Sequence, residues 1–330
     1  MAYVRVSQLP KRVVDFCVGW GPWPNELFLD MILRHCDARG LTCVVARDTN
    51  VHNMIRGVES ERTFVGFHVD AQAEHEDDAD PYKRLAYAVK DQGGFVVNEP
   101  DSARLGIDKA KIHYQFERTG IPVPPTIVVR NWEPSDFRLT PAERKRLGRP
   151  FVIKPARGYG KQGVARANAG TIKEIAKARR YDRGDDFLLQ RMVVPEWFGH
   201  RMGWFRAFYV LGQVTLCWWD TKTEHYAPVS AKEHEEYGLA PLCRIMWRIA
   251  QVTHMSFFTT ELAAIGKGAR RRFVAVDYVN DPCDMAAQSF THCGVPDKVV
   301  HHVAERLAEA AWRVKRGIGP VDGLSIWLPR

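Results

Sequence analysis

The sequence predicts an α/β protein, with a parallel sheet in its first part and an α+β arrangement richer in antiparallel strands in its second. Its 330 residues correspond to about two domains. The first hundred residues alternate short apolar runs with helical patterns, an order that is typical of a parallel sheet. From Trp204 onward, apolar runs follow one another across short turns, as they do in a β-meander.

The composition is that of a globular chain, with 45% hydrophobic and 26% charged residues. It excludes collagen, coiled coil, intrinsic disorder and a small disulfide scaffold. No apolar run approaches the roughly 20 residues that cross a bilayer. The stretch 13–23 is interrupted by Asp15 and has no small-residue cleavage site, so we expect no signal peptide and a cytoplasmic protein. The seven cysteines include no C-x-x-C pair, which excludes zinc-ribbon and thioredoxin-type chemistry.

The net charge of +8 makes nucleic-acid binding one function to consider. The basic clusters at 144–149, 177–183 and 267–272 are short and scattered, and no recognised nucleic-acid module accompanies them. We therefore expect solvated surface, with an anionic small substrate as the alternative. No nucleic-acid partner and no membrane partner is expected.

Each element is predicted from its local pattern. In the first hundred residues we expect strands at 13–18, 41–46, 63–69 and 94–97, and helices at 26–39 and 82–90. No G-x-G-x-x-G occurs in this half, so the dinucleotide fingerprint of a Rossmann enzyme is missing. A helix is then expected over 102–119, ended by Gly120 as its C-cap. The proline-rich segment 121–125 is expected to be extended.

The remaining chain is expected to be mostly strands. We predict a short helix within the loop 132–149, strands at 126–129, 151–153, 164–167, 187–189, 205–211, 213–219, 257–263 and 273–279, and helices at 171–180 and 297–314.

A glycine-rich loop follows the predicted strand 151–153. Gly158, Gly160 and Gly163 match G-x-G-x-x-G, but a strand and not a helix comes next, so the context is a β-hairpin. Such hairpins suit a triphosphate because bare backbone N–H groups can approach its oxygens. A protein kinase would also need H-R-D and D-F-G motifs, which are missing, and Lys154 precedes the loop. The structural alternative is a surface hairpin with a chance lysine.

In order and spacing these segments resemble the ATP-grasp proteins, of the carboxylate–amine ligase kind typified by D-alanine–D-alanine ligase and glutathione synthetase. The resemblance runs from about Asn98 to Val279. Three motifs carry it: Asp108-Lys109 with a helix and Gly120-Ile-Pro-Val-Pro-Pro, then Phe151-Val-Ile-Lys154-Pro with the glycine loop, then Phe187-Leu-Leu-Gln190-Arg-Met-Val. The resemblance implies an ATP-grasp fold behind a small Rossmann-like parallel-sheet domain. The implied divisions are 1–100, the lid and central subdomain 101–193, and the C-terminal subdomain 194–330.

The resemblance also implies roles for the matching residues. Lys109 and Lys154 would contact the ATP phosphates as point charges, beside the loop glycines. Arg206 would stabilise charge on the transferred phosphoryl group, although Trp204 stands where the family often has aspartate. The adenine edge would face a hinge made of Gln190, Arg191, Met192 and Val193. A solvated lysine, an ion-paired arginine and an ordinary buried strand are the structural alternatives.

Magnesium would lie against two neighbouring strands. The resemblance assigns it to Glu261, Asp277 and Asn280, which are oxygen donors suited to this ion. The family spaces the acid and the asparagine two residues apart, whereas Asn280 follows Asp277 by three. Because side chains alternate along a strand, Asn280 is expected on the wrong face. A bulge, or Asp281 in its place, would repair the motif.

The activity that the resemblance implies is ATP-dependent ligation of a carboxylate to an amine through an acyl phosphate. ATP, Mg²⁺, a small-molecule acid and an amine are the implied ligands, and a homodimer is common in such families. An ATP-grasp kinase that phosphorylates a small molecule is one alternative. A non-catalytic nucleotide-binding module is another, motivated by the irregular magnesium motif.

Overall fold

The computed structural model describes residues 11–20, 26–70, 77–158, 160, 162–168 and 170–329. Within them, three larger sheets and a two-stranded hairpin are packed with ten α-helices. No helix in these ranges combines the length and the apolar character that a membrane crossing requires.

The first sheet is parallel throughout, as predicted, and its strand order is β2-β1-β3-β4. Its elements in chain order are β1 (Arg12–Gly19), α1 (Glu26–Ala38), β2 (Cys43–Ala46), α2 (Val51–Glu59), β3 (Thr63–Asp70), α3 (Pro81–Asp91) and β4 (Phe95–Val97). Helix α2 was not predicted from the sequence. That helix buries Val51, Met54, Ile55 and Val58, which is the spacing of one helical face.

The helix expected over 102–119 is wrong, because two helices occupy this stretch: α4 (Pro100–Ile107) and α5 (Lys109–Thr119). Asp108 is extended at the break, and its carboxylate accepts from the backbone N–H groups of Ala110 and Lys111 at 3.1 and 3.0 Å. An N-cap of this kind starts a new helix. As expected, α5 ends at Gly120, whose φ is 68°.

The second sheet has the strand order β5-β8-β6-β7, with every pair antiparallel. Its elements are β5 (Thr126–Val129), α6 (Pro141–Leu147), β6 (Phe151–Pro155), β7 (Ala165–Ala167), α7 (Ile172–Arg179) and β8 (Phe187–Arg191). The glycine loop joins β6 to β7, so the predicted hairpin is confirmed. One face buries Phe151, Ile153, Phe187 and Leu189 in a single core. Alternation along the strands therefore places Lys154 and Gln190 together on the other face.

The third sheet is mainly antiparallel, with the order β13-β12-β11-β14-β15 and β16 paired to β12. Its strands are β11 (Trp204–Val210), β12 (Gln213–Asp220), β13 (His225–Pro228), β14 (Phe257–Ile265), β15 (Arg272–Asn280) and β16 (Ser325–Trp327). The hairpin β9 (Trp197–Phe198) and β10 (Arg201–Met202) precedes it, and α8 (Ala231–Glu236), α9 (Ala240–Thr253) and α10 (Asp297–Lys315) complete the chain. Helices α8 and α9 were not predicted from the sequence.

Two cores hold this sheet in place. One core joins α5 and α9 to Phe205, Leu262 and Phe273 on one face of the sheet. The other joins α1 and α10 to the first sheet and to Phe208 of β11. The side chain of Asn98, just after β4, accepts from the backbone N–H groups of Ser256 and Phe257 at 2.8 and 2.9 Å. The first sheet is therefore tied to the start of β14, which leads into the site described next.

Candidate active site

Six of the predicted site residues come together at the open face of the third sheet. We call them the charged cluster: Lys109, Lys154, Arg206, Glu261, Asp277 and Asn280. They come from α5, β6, β11, β14 and β15, so the cluster exists only in the folded chain.

Strand register places three of these side chains in a row. Arg206 pairs with Glu261 across β11 and β14, and Glu261 pairs with Asp277 across β14 and β15. The Arg206 Nη2 atom lies 2.8 Å from Glu261 Oε1. Trp204 donates from Nε1 to Glu261 Oε2 at 3.1 Å. Both oxygens of Glu261 are thus held in a fixed orientation.

The irregular spacing of Asn280 is repaired by a bulge, one of the two repairs that the sequence analysis offered. Thr259 pairs with Asn280 while Glu261 pairs with Asp277, so β15 has one residue more than β14 over this stretch. With its amide oriented to satisfy both partners, Asn280 donates to Asp277 Oδ2 at 3.2 Å and accepts from Arg206 Nη1 at 3.0 Å. The expectation that Asn280 lies on the wrong face is therefore wrong, because a bulge adds a residue without changing the face.

The two lysines approach the cluster from the other side. Lys154 Nζ donates to the Val276 carbonyl at 2.9 Å and lies 4.0 Å from Asp277 Oδ1. Lys109 Nζ donates to the Gly158 carbonyl at 2.6 Å. Both side chains are buried, and burial lowers the pKa of Lys154 to about 8 although Asp277 opposes that shift. Burial alone would raise the pKa of Asp277, but the cations around it hold the pKa below its ordinary value.

The three loop positions 158, 160 and 163 require glycine for steric or conformational reasons. A Cβ atom on Gly158 would lie 2.4 Å from Pro155 Cγ, and Gly160 and Gly163 have φ of 56° and 68°. A side chain at any of the three would be strained or would clash. Tyr159 and Lys161 lie outside the described residues. Because Lys109 bonds to the Gly158 carbonyl, the loop is joined to the start of α5.

The four predicted hinge residues divide into two groups. Gln190 is buried on the face of the second sheet that carries Lys154. Arg191, Met192 and Val193 instead line a cleft of about 940 Å³, together with Pro122–Pro125 and residues of α9. Neither Gln190 nor any member of the charged cluster lines that cleft. The two groups of hinge residues therefore face different spaces.

The donor set of the cluster fits magnesium. Glu261 and Asp277 supply two carboxylates at paired positions, and Asn280 adds an amide oxygen beside them. Mg²⁺ usually keeps several waters and binds through one or two carboxylates plus substrate phosphates. Within the described part of the chain, no group of three His, Cys, Asp or Glu side chains could hold a metal by itself. The site is therefore suited to a metal that arrives with a nucleotide.

Two residues that support this site, Tyr278 and His113, were not predicted from the sequence. Tyr278 follows Asp277, and its ring lies 5.2 Å below Lys154 Nζ. Its hydroxyl contacts His113 of α5 and Gln190 of β8 at 2.7 and 3.1 Å. The only available signal was the position of Tyr278 inside the motif, because its two partners are 165 and 88 residues away.

Sequence comparison finds no matching family model and no matching curated protein. Structure comparison finds the ATP-grasp ligase PsnB, complexed with minimal precursor, Mg and ADP, at 13% identity and TM-score 0.63 over 92% of this chain and 98% of its own. A RimK domain ATP-grasp protein from Sphaerobacter thermophilus has 19% identity and TM-score 0.59 over 90% and 98% of the two chains. D-alanine–D-alanine ligase from Bacillus anthracis has 14% and 0.58 over 93% and 99%. The chain therefore has the ATP-grasp fold, as its motifs predicted.

Proposed function

We propose that this protein is an ATP-dependent ligase that joins a carboxylate to an amine through an acyl phosphate, and releases ADP and phosphate. The observation that supports it best is the charged cluster, in which two lysines and one arginine surround two carboxylates. Cations for phosphate oxygens and acids for a metal thus lie side by side on a fold shared with solved ligases.

The cluster can assist phosphoryl transfer without a side-chain nucleophile. A carboxylate oxygen of the substrate attacks the γ-phosphorus, the bond to the β–γ bridging oxygen breaks, and ADP leaves with that electron pair. Lys109, Lys154 and Arg206 position the phosphates and offset the charge that develops on them. Bound Mg²⁺, held by Glu261, Asp277 and Asn280, would neutralise phosphate oxygens. The amine then attacks the acyl carbon, phosphate leaves, and the amine proton passes to water.

Solved neighbours support the choice of ligands. PsnB is described in complex with Mg and ADP, and the Bacillus anthracis ligase in complex with ATP. By analogy we assign ATP and Mg²⁺ to the charged cluster. The net charge of +8 favours an anionic acid as substrate.

The first experiment traps the intermediate. Purified protein is mixed with Mg-ATP, pooled carboxylic acids and excess hydroxylamine, and ADP and hydroxamate are followed together. Hydroxamate with equal ADP is the expected result, because hydroxylamine captures an acyl phosphate. ADP without hydroxamate would replace the ligase with the kinase alternative. If neither forms, ATP binding with and without Mg²⁺ shows whether a non-catalytic nucleotide module is the better description.

The Lys154→Ala variant tests the assignment of the cluster. It removes a buried cation beside the phosphates, so we expect ADP release to fall about a hundredfold or more while the protein stays folded. Lys177→Ala, which removes an exposed lysine of α7, is the matched control and should keep full turnover. Unchanged turnover in a folded Lys154→Ala protein would refute the assignment.

A further inference from the structure

The cleft of about 940 Å³ between the second sheet, α9 and the start of β15 carries a strong positive charge. We call it the arginine cleft, after the five arginines that line it: Arg191, Arg244, Arg248, Arg271 and Arg272. No described aspartate or glutamate lines it. Within the described part of the chain, Glu196 is the one carboxylate paired with any of these arginines, and it holds Arg271 at 2.7 and 3.0 Å. A concave site lined by one sign of charge attracts ligands of the opposite sign.

The guanidinium groups differ in how they are held. Arg248 donates from Nη1 to the Gly120 carbonyl at 3.1 Å, and Arg191 donates from Nη2 to the Lys145 carbonyl at 3.3 Å. Arg244 and Arg272 are exposed, and no described carboxylate pairs with either of them. These two arginines are therefore available to a bound anion.

The walls between the arginines are apolar. Ile245, Phe273 and Val274 are buried at the base of the cleft, with 5 to 9% of each residue exposed. The proline-rich segment 122–125 forms one side, and its three prolines have no backbone N–H to donate. A volume of this size is typical of small-molecule sites. The lining thus suits a small ligand that combines an acidic group with an apolar body.

The arginine cleft lies where the second sheet is attached to the rest of the chain. Residues 126–191, which contain the whole of this sheet, are connected to the other elements through 120–125 and 192–196. Both connections line the cleft. They are fixed by bonds from the Arg191 N–H to the Pro125 carbonyl at 2.8 Å and from the Ala275 N–H to the Pro122 carbonyl at 2.9 Å. A ligand in the cleft would touch both connections and α9 together.

We propose that the arginine cleft is a second ligand site, which binds a small amphipathic anion. The acidic group of the ligand is held by Arg244 and Arg272, and its apolar body packs on Ile245, Phe273 and Val274. Apolar walls exclude water from the ligand and so strengthen the attraction between opposite charges. The inference does not depend on the ligase proposal, because no member of the charged cluster lines this cleft.

The test uses anilinonaphthalene sulfonate, an apolar anion whose fluorescence rises when it leaves water for an apolar surface. Wild type should bind it saturably. Arg244→Gln and Arg272→Gln should each weaken its binding about fivefold, since each removes one cation from the acidic group. Val194→Asp should weaken binding at least as much, because Val194 lines the cleft and is 75% exposed, so that the new charge enters the cleft without disturbing the core.

Two control variants lie outside the cleft. Arg183→Gln removes an exposed arginine, and Val13→Asp adds an acid at a position that is 54% exposed. Each lowers the net charge by one, as the three cleft variants do, so a difference between the two sets comes from the place of the charge. Both controls should bind the probe as wild type does.

Competition and hydrogen exchange test the chemistry and the place of binding. Dodecanoate should displace the probe, whereas acetate at the same concentration should not, because acetate has no apolar body. Bound probe should slow amide hydrogen exchange at 192–194 in wild type and have less effect in Arg244→Gln. Equal affinity in the cleft and control variants, or no saturable binding by wild type, overturns this inference. Displacement of the probe by excess Mg-ADP also overturns it, because the probe would then occupy the nucleotide site, and that result leaves the ligase proposal intact.

Discussion

The two ends of the candidate site hold their side chains by different forces. In the charged cluster, Asp277 interacts with Lys109, Lys154 and Arg206 at once, so its orientation is set by several overlapping Coulomb interactions. Behind the cluster lies a buried set of four side chains that we call the hinge network: His113, Thr126, Gln190 and Tyr278. In the hinge network, each contact joins one donor to one acceptor between neutral groups. Coulomb interactions vary gradually with distance, whereas hydrogen bonds are directional. The charged cluster is therefore suited to binding charged groups, and the hinge network to fixing the orientation of individual polar side chains.

The largest effect is expected from removing the charge of Asp277. Asp277→Asn keeps the shape of the side chain but leaves three cations without their shared anion and a metal without a ligand. We expect ADP release in the hydroxamate assay to fall about a thousandfold, and the Mg²⁺ dependence of nucleotide binding to weaken. The exposed Asp30→Asn, whose partner is Arg34 at 2.8 Å, should change neither. Near-normal turnover in Asp277→Asn would show that the charge at this position is dispensable.

Much of the fold could be predicted because it follows local patterns. The parallel strands of the first sheet and α10 have continuous apolar or amphipathic stretches, and the hairpin after β6 is marked by its glycines. The break between α4 and α5 at Asp108 was not predicted, because the residues on both sides of it have helical composition. Asp108 is distinguished by its cap and by the bond from the Lys109 backbone N–H to the Ala156 carbonyl. That bond joins segments far apart in sequence.

The site was predictable as a set of residues but not as an arrangement. Lysine, arginine and acid residues in family spacing pointed to the charged cluster. The face of Asn280 depended on how β15 pairs with β14, which the local sequence does not specify. The neutral hinge network could be predicted even less well from the sequence, because histidine, tyrosine and threonine are common in ordinary protein cores. The orientation of the Gln190 side chain depends on hydrogen bonds to Thr126 and Tyr278, which lie on two other strands.

The charged cluster should also contribute to the stability of the fold. Arg206→Met leaves the Glu261 carboxylate largely buried, with Trp204 as its remaining donor. We expect the free energy of unfolding to fall by about 2 kcal/mol in urea. Arg84→Met breaks the exposed pair with Glu59 and should cost well under 1 kcal/mol. Equal losses in the two variants would mean that the cluster contributes no more to stability than a surface ion pair.

The response of stability to pH also distinguishes the two ends, because the hinge network contains a buried histidine and the charged cluster contains no histidine. Burial lowers the pKa of His113 to about 4, and the same holds for His68 in the first sheet. The unfolded chain, with histidine pKa near 6.5, therefore binds protons that the folded chain does not. The free energy of unfolding is at its full value above about pH 6.5 and falls as the pH drops toward 4, by up to about 1.4 kcal/mol per pH unit for each histidine.

Replacing either histidine by leucine should make this decline shallower by one such contribution, as measured by urea unfolding at pH 7 and pH 5. A decline as steep as that of the wild type in either variant would show that this histidine does not supply the acid sensitivity.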